Sequence, residues 1–284
     1  MGRADFKYIY GPVFSWRYGR SLGVDPVSAS IKTCSFDCVY CQAGKTKILS
    51  DQRSLFVPIR ELTEEIGKIP PVTLDQITFA GNGEPTLAVN LGEMIREMRK
   101  IRPEKIAVIT NASLIDREDV RAELALADLV VAKLDAVTNT TFQNVNRAPS
   151  SVNLEKILEG IGSFRKVFAG KLAIQVMFVA LNKGEAARIA ERINVVAPDE
   201  IEVNTPLRAS PAEPLSPVEL GEITKIFRHI CCGIPVKSVY EAERAASAPF
   251  CPASTERRRG REDHRPCPQK AGPGHCEDEE KKVK

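Results

Sequence analysis

Between Val27 and Ile230, six strand-like segments alternate with six helix-like ones, and strict alternation leaves a chain few ways to fold. The strand-like segments are VSASIKT, LDQITFA, KIAVIT, DLVVAKLDA, KLAIQVMFVAL and EIEVNTP. Most are short apolar runs enriched in β-branched residues. The intervening segments carry helical spacing instead. Ile59, Leu62, Ile66 and Ile69 share one face of the first, and Leu91, Ile95, Met98 and Ile101 one face of the second. DREDVRAELALA has acidic residues in its first turn, where the helix dipole favours them. SVNLEKILEGIGSF has Ser150 or Ser151 as N-cap, with Glu155 close to capping-box spacing. GEAARIAERINVV follows, and SPVELGEITKIFRHI opens with Pro in its first turn. Strands that alternate with helices lie parallel and are joined by right-handed crossovers. Two closures satisfy this pattern: an open doubly wound sheet, or a partial barrel two units short of the eightfold one.

The chain's 284 residues and 43% hydrophobic content suffice for one large core. Residues 1–25 alternate aromatic, Arg and Gly residues without either period, which predicts an ordered lead-in rather than a regular element. Arg17 and Arg20 there face either an anionic ligand or surface carboxylates, and composition favours the carboxylates. The alternating unit is expected over residues 26–248. From residue 249 to residue 284 the chain is rich in Pro, Arg, Lys and Glu, with almost no large apolar residue. That composition buries no core and predicts a disordered tail. Its basic run from Arg257 to Arg261 is either a phosphate-contact segment or a solvated stretch, and its Glu neighbours favour the latter.

No apolar run is long enough to span a bilayer. The N-terminus lacks the charged-then-apolar design of a signal peptide, so a cytoplasmic protein without membrane contact is expected. Eight cysteines in such a chain point to metal or redox chemistry rather than disulfides. A net charge of +3 neither demands nor excludes a nucleic-acid partner.

Parallel α/β folds bind ligands at the C-terminal ends of their strands. Here those ends lead into Cys34, into Gly81–Pro85, into Thr110 and Asn111, near Lys133 and Asp135, toward Asn182, and into Asn204 and Thr205. Polar and Gly residues therefore gather at one rim. The first exit is CSFDCVYC, three cysteines at spacings of three and two residues. Structural zinc prefers four protein ligands, and the other cysteines and histidines are remote in sequence. An iron–sulfur cube held by three thiolates fits the stretch directly and leaves one iron open. The second exit, Gly81-Asn82-Gly83-Glu84-Pro85, allows close backbone approach to a ligand and offers a carboxylate beside the cysteines.

Cys-x-x-x-Cys-x-aromatic-Cys after the first strand, with Gly-Glu-Pro after the second, resembles the radical S-adenosylmethionine (SAM) superfamily over roughly Val27 to Ser238. The resemblance implies an α/β fold closed as a partial (βα)6 barrel. It implies that Cys34, Cys38 and Cys41 ligate a 4Fe-4S cluster whose open iron chelates the methionine end of SAM. It places Asn82, Gly83 and Glu84 against the SAM amino group and Tyr40 near the adenine. Asn111 and Asp135 become candidates for the ribose and carboxylate; no catalytic side chain is assigned. A one-electron donor of flavodoxin or ferredoxin type is the implied partner, and cleavage to methionine and a 5′-deoxyadenosyl radical the implied chemistry.

GPVFSWRYGRSLGVDP, GNGEPTL and KLDA look closest to a subgroup similar to wyosine-type tRNA synthases, which makes a tRNA base the candidate substrate. Those synthases carry cysteines N-terminal to the radical motif, whereas none precedes Cys34 here. They also use a lysine to hold pyruvate, and Lys133 stands at a strand exit. The competing reading is a peptide-modifying radical SAM enzyme with an auxiliary cluster among Cys231, Cys232, Cys251, Cys267 and Cys276. A third, of another class, is a non-enzymatic metal- or RNA-binding protein.

Overall fold

The computed structural model describes residues 6–242 and 248–259. Its main sheet has eight strands: β1 (Ile9–Ser15), β2 (Gly19–Val24), β5 (Gln76–Phe79), β6 (Lys105–Thr110), β7 (Leu129–Lys133), β8 (Lys171–Met177), β9 (Glu200–Asn204) and β10 (Val236–Ser238). They lie side by side in chain order, and all neighbouring pairs are parallel except the β1–β2 hairpin at one edge. A separate two-stranded piece, β3 (Thr33–Cys34) with β4 (Ile48–Leu49), lies in the long loop after β2. The helices are α1 (Ile59–Ile66), α2 (Leu91–Ile101), α3 (Glu118–Leu124), α4 (Asn139–Val145), α5 (Leu154–Val167), α6 (Ala186–Val196), α7 (Pro217–Ile230) and α8 (Pro252–Arg259). The sheet curls into a half-barrel, so the partial-barrel closure is the correct one.

Period-two alternation sorts each strand into two faces. Ile77 and Phe79, Ile106 and Val108, Leu172 and Ile174, and Ile201 and Val203 point outward into one continuous core under the helices. The inner face is smaller and more polar. Ala107, Leu129, Val131 and Ala173 form their own cluster there, with Ile109 and Tyr18 against it. Buried on both faces, the strands contain continuous apolar runs, as parallel strands do.

The six expected units are present, but the first strand differs from its prediction. VSASIKT is almost all loop, and only Thr33 joins a strand. The first parallel strand is β2, within the segment expected to be irregular. Leu22 and Val24 are fully buried there, and β2 pairs in parallel with β5 from Ser21 to Val24. Its glycines and Arg20 mask the pattern, because tertiary pairing outweighs local propensity. The cap of α5 is Asn153, whose Oδ1 accepts from Glu155 and Lys156 N–H, rather than Ser150 or Ser151. At α7 the expected Pro217 start is reinforced by a complete capping box between Ser216 and Glu219.

Of the tail expected to be disordered, residues 249–259 are ordered against the sheet. Phe250 N–H donates to Gly11 O at 2.9 Å, and the Phe250 ring meets Phe6 edge-on at 4.8 Å. Helix α8 then lies on β1, with Ser254 Oγ donating to Ile9 O at 2.6 Å and Gly11 N–H to Thr255 Oγ1 at 3.1 Å. A sheet edge left bare invites pairing with other chains, and α8 covers this one. Residues 260–284, the rest of the expected tail, lie outside the described residues.

Phe227 of α7 is fully buried and meets Phe178 edge-on at 5.8 Å. Replacing Phe227 by Ala is expected to cost about 3–5 kcal/mol of unfolding free energy, as for other buried Phe truncations. Urea denaturation measures it, and a loss under about 1 kcal/mol would contradict this packing.

Candidate active site

The loop after β2 carries the three cysteines and is pinned from two sides. Asp37 N–H donates to Asn146 O and Val39 N–H to Val145 O, both at 3.0 Å, so the loop sits on the end of α4. Ser35 Oγ lies 2.6 Å from Ser113 Oγ and accepts from Asn111 Nδ2 at 2.9 Å, which ties it to the turn after β6. The Phe36 ring packs edge-on against Phe142 at 5.3 Å. Backbone bonds from Cys41 N–H to Cys38 O and from Gly44 N–H to Cys41 O close the tight turn that brings the last two thiols round.

Each sulfur has its own N–H donor, from three different elements. Asn111 Nδ2 lies 3.9 Å from Cys34 Sγ, Asn146 Nδ2 3.6 Å from Cys38 Sγ, and Lys32 Nζ 3.1 Å from Cys41 Sγ. Burial pushes the Cys34 thiol up to about 12, and pushes Cys38 up to about 11 with Asp135 adding to it. A thiolate in this place is therefore favoured only when a cation binds it. Among the described residues no group of three His, Cys, Asp or Glu side chains converges as on a single metal ion. A cube suits this arrangement better, because each thiolate takes a different iron.

The loop after β5 lies beside this turn. Gly83 is packed so closely that a Cβ would come within 2.1 Å of Thr33 O, and at Gly81 it would come within 2.1 Å of Asp25 Cγ. Only glycine permits either approach. Asn82 N–H donates to Asp25 Oδ2 at 3.2 Å, while the buried Asn82 Oδ1 has no hydrogen-bond partner. A buried amide oxygen without a donor fits an ammonium group such as that of SAM.

Glu84, expected at the SAM amino group, is engaged by the chain itself. It is buried, and its two oxygens take four hydrogen bonds from the chain itself. Oε1 accepts from Thr86 N–H, Thr86 Oγ1 and Thr110 Oγ1 at 3.1, 2.8 and 2.6 Å, and Oε2 from Asn111 N–H at 2.7 Å. Burial raises its affinity for a proton and these donors oppose it. Glu84 joins the second exit loop to the third. Asn111, expected at the ribose, turns its amide to Ser35 and Cys34 instead, and the backbone directly after it is left-handed at Ala112.

Tyr40 is buried and donates its hydroxyl to Asp135 Oδ2. Burial first, then Asp135, hold that hydroxyl protonated. Asp135 also accepts from Asn146 Nδ2 at 2.9 Å and from Met177 N–H at 2.8 Å. Lys133 Nζ sits 4.7 Å from the Tyr40 ring centroid, 3.5 Å from Asp135 Oδ1 and 3.5 Å from Gln175 Oε1. Lys133, Gln175 and Glu202 are register neighbours across β7, β8 and β9. Gln175 Nε2 donates to Glu202 Oε2 at 2.7 Å, and Tyr18 Oη and Arg17 also reach Glu202. Arg17 and Arg20 thus meet carboxylates, as composition favoured, although Glu202 is buried and Asp75, the partner of Arg20, is not. Asn182 and Thr205 serve the loops, bonding to the carbonyls of Asp135 and Phe178.

The family model described as the Radical SAM superfamily matches residues 29–193, more than half of the chain. The chain belongs to the radical SAM superfamily. It is an enzyme whose cofactors are a 4Fe-4S cluster and SAM. A UPF0026 protein of Synechocystis sp. is 42% identical over 209 residues, covering 73% of this chain and 78% of that protein. Among solved structures, TYW1 with a lysine-pyruvate adduct bound is similar in fold, with a TM-score of 0.56, 15% identity and coverage of 75% of each chain. Streptococcus suis SuiB bound to S-adenosylmethionine has a TM-score of 0.56 at 13% identity, covering 73% of this chain and 48% of that one, so this radical SAM chain spans about half of SuiB. Among the described residues no helix is long and apolar enough to cross a membrane.

Sequence reasoning found the cysteines and the glycine loop but missed Lys32, Asn146, Ser35 and Asp25. Lys32 stands two residues before Cys34, Ser35 lies inside the cysteine motif and Asp25 closes the lead-in segment, but none of these positions signals its partner; Asn146 belongs to no local motif. Lys32→Met removes a cation beside Cys41 and so disfavours an electron added to a cluster held there. Its reduction potential is expected to fall by tens of millivolts in an EPR-monitored redox titration, and an unchanged or raised potential would contradict this role.

Proposed function

We propose that this enzyme binds SAM at the rim formed by Cys34, Cys38, Cys41 and the Asn82–Gly83 turn, and directs its radical chemistry to a tRNA base. When bound, the cluster and SAM supply a one-electron reductive cleavage to methionine and a 5′-deoxyadenosyl radical. In this reading the three thiolates hold the cluster, and Asn82 Oδ1 with the Gly83 backbone receives the SAM amino group. Glu84 keeps that turn in place without touching the ligand. Asp135 holds Tyr40, and the two flank the opening to the half-barrel's inner face. A flavodoxin- or ferredoxin-like donor supplies the electron.

The observation that carries the substrate half of the reading is Lys133. It is a cation on the inner face, its side chain 14% exposed, at the end of β7 and 4.7 Å from the Tyr40 ring centroid. An ammonium there suits a carbonyl or anionic group of a substrate brought to the rim. The resemblance of GPVFSWRYGRSLGVDP, GNGEPTL and KLDA to the wyosine-type synthases supports the same reading, as does the likeness in fold to TYW1, whose structure holds a lysine-pyruvate adduct. Likeness in fold supports the peptide-modifying alternative equally, since SuiB bound to its precursor peptide SuiA has a TM-score of 0.58 at 12% identity, but the described cysteines of that reading offer it no cluster site. Cys231 is buried with its thiol on Ala190 O, Cys232 is exposed, and Cys251 is buried under α8.

Purified, anaerobically reduced protein is expected to release 5′-deoxyadenosine from SAM, and faster with bulk tRNA than without it. Liquid chromatography of the quenched reaction measures this, and a rate indifferent to tRNA would remove the tRNA reading while leaving SAM cleavage standing. Lys133→Met is expected to retain tRNA-independent SAM cleavage and lose the tRNA-dependent increase. Retention of the full increase would remove Lys133 from the substrate site.

A further inference from the structure

Helix α8 buries one side chain between the β1 edge and the segment that leaves β2. Arg258 is 4% exposed and Asp25, its partner, 1%. A guanidinium has five N–H donors, and five acceptors surround this one. Nε donates to Asp25 Oδ2 at 3.0 Å, and Nη1 to Ser254 O and Oγ at 3.1 and 3.2 Å. Nη2 donates to Ser28 Oγ at 2.8 Å and to Lys7 O. The helix is in turn fixed to β1 through Ser254 and Thr255. The cation is therefore held in one place rather than sampling solvent.

What Arg258 holds is not confined to the sheet edge. Asp25 Oδ1 accepts from Val27 N–H at 3.2 Å, at the start of the loop that leads to the cysteines. Asp25 Oδ2, the oxygen bonded by Arg258, also accepts from Asn82 N–H at 3.2 Å. Gly81 lies so near that its missing side chain is what lets the carboxylate in. One buried oxygen thus receives the C-terminal helix on one side and the turn carrying the unpartnered Asn82 amide oxygen on the other. A buried carboxylate stripped of its cation is strongly unfavourable and moves or takes up a proton.

We propose that Arg258 is a positioning residue for SAM: through Asp25 it fixes the Gly81–Gly83 turn, so that cofactor binding depends on α8 being docked. This rests on the reading of Asn82 and Gly83 as the SAM contact. Arg258 touches no reacting atom. Its influence passes through one shared carboxylate oxygen, and the cysteine turn has separate anchors on α4 and the turn after β6. Losing α8 should therefore weaken SAM binding before it empties the cluster site.

The test compares full-length wild type, Arg258→Met, Arg258→Lys and a control, Ile193→Ala, which destabilises α6 far from the rim. Iron per chain, melting temperature and the dissociation constant for radiolabelled SAM are measured on anaerobically reconstituted protein well below melting. Arg258→Met is expected to keep wild-type iron content and bind SAM about tenfold more weakly, the scale of one lost charge-assisted contact. Its KM for SAM should rise more than its kcat for SAM cleavage falls. Ile193→Ala should lose stability with an unchanged dissociation constant. Where Arg258→Met does not fold, Arg258→Lys carries the test, since it keeps a cation but lacks the planar fork, and it should bind SAM several-fold more weakly. Wild-type affinity in whichever variant folds, despite a lowered melting temperature, would make Arg258 a purely structural residue and overturn the proposal. A wild-type protein that binds no SAM would overturn the reading of the turn and the proposal together.

Discussion

The buried carboxylate of Glu84 is the contact on which the rim depends. It accepts from Thr86, Thr110 and Asn111, and so joins the loops after two adjacent strands into one piece. Asn111 passes the constraint on, its amide reaching Ser35 and Cys34. From there the cysteine turn is braced a second time by Val145 and Asn146 at the end of α4. A carboxylate out of water costs free energy unless its lone pairs are filled, and here four donors from the chain fill them. Removing any of these donors would loosen the loop after β5 and the cysteine turn at once.

Asp25 repeats the arrangement on the other side of the glycine turn. The two carboxylates clamp the turn between β2 and β6, and each is fixed by groups distant in sequence. The turn can therefore stay rigid although two glycines and an asparagine would leave it free in isolation. Pre-organisation of this kind lowers the cost of ordering a loop around a ligand. The inner face below carries a second polar row, Lys133, Gln175 and Glu202, in lateral register on three neighbouring strands. Radical chemistry needs its substrate shielded from competing donors, and a half-barrel lumen lined by such a row provides shielding with a few fixed polar contacts.

How much of this was legible in the sequence follows from how local each feature is. The spacing of Cys34, Cys38 and Cys41 and the Gly81–Pro85 run are local, and both lie at the rim as expected. The outward faces of β6 to β9 were legible because buried parallel strands are continuous apolar runs. Strand β2 was not, since Gly19, Arg20 and Gly23 interrupt it and its pairing with β5 is a long-range contact. Helix α8 was hidden more completely. PASTERRR has no apolar face, and what docks it is hydrogen bonding to β1 and one charge buried against Asp25. The partners of Glu84 and Asn111 were illegible for a related reason: residue type and strand-end position put them at the rim, but only the fold shows that they bond each other and the cysteine turn.

The central claim is that three thiolates from one turn leave an iron open for the amino and carboxylate groups of SAM. The most direct measurement is electron–nuclear double resonance on the reduced protein with SAM labelled by nitrogen-15 at the methionine amino group. A resolved nitrogen coupling to the cluster that disappears when SAM is omitted is expected. A reduced cluster that shows no such coupling with SAM bound would contradict it.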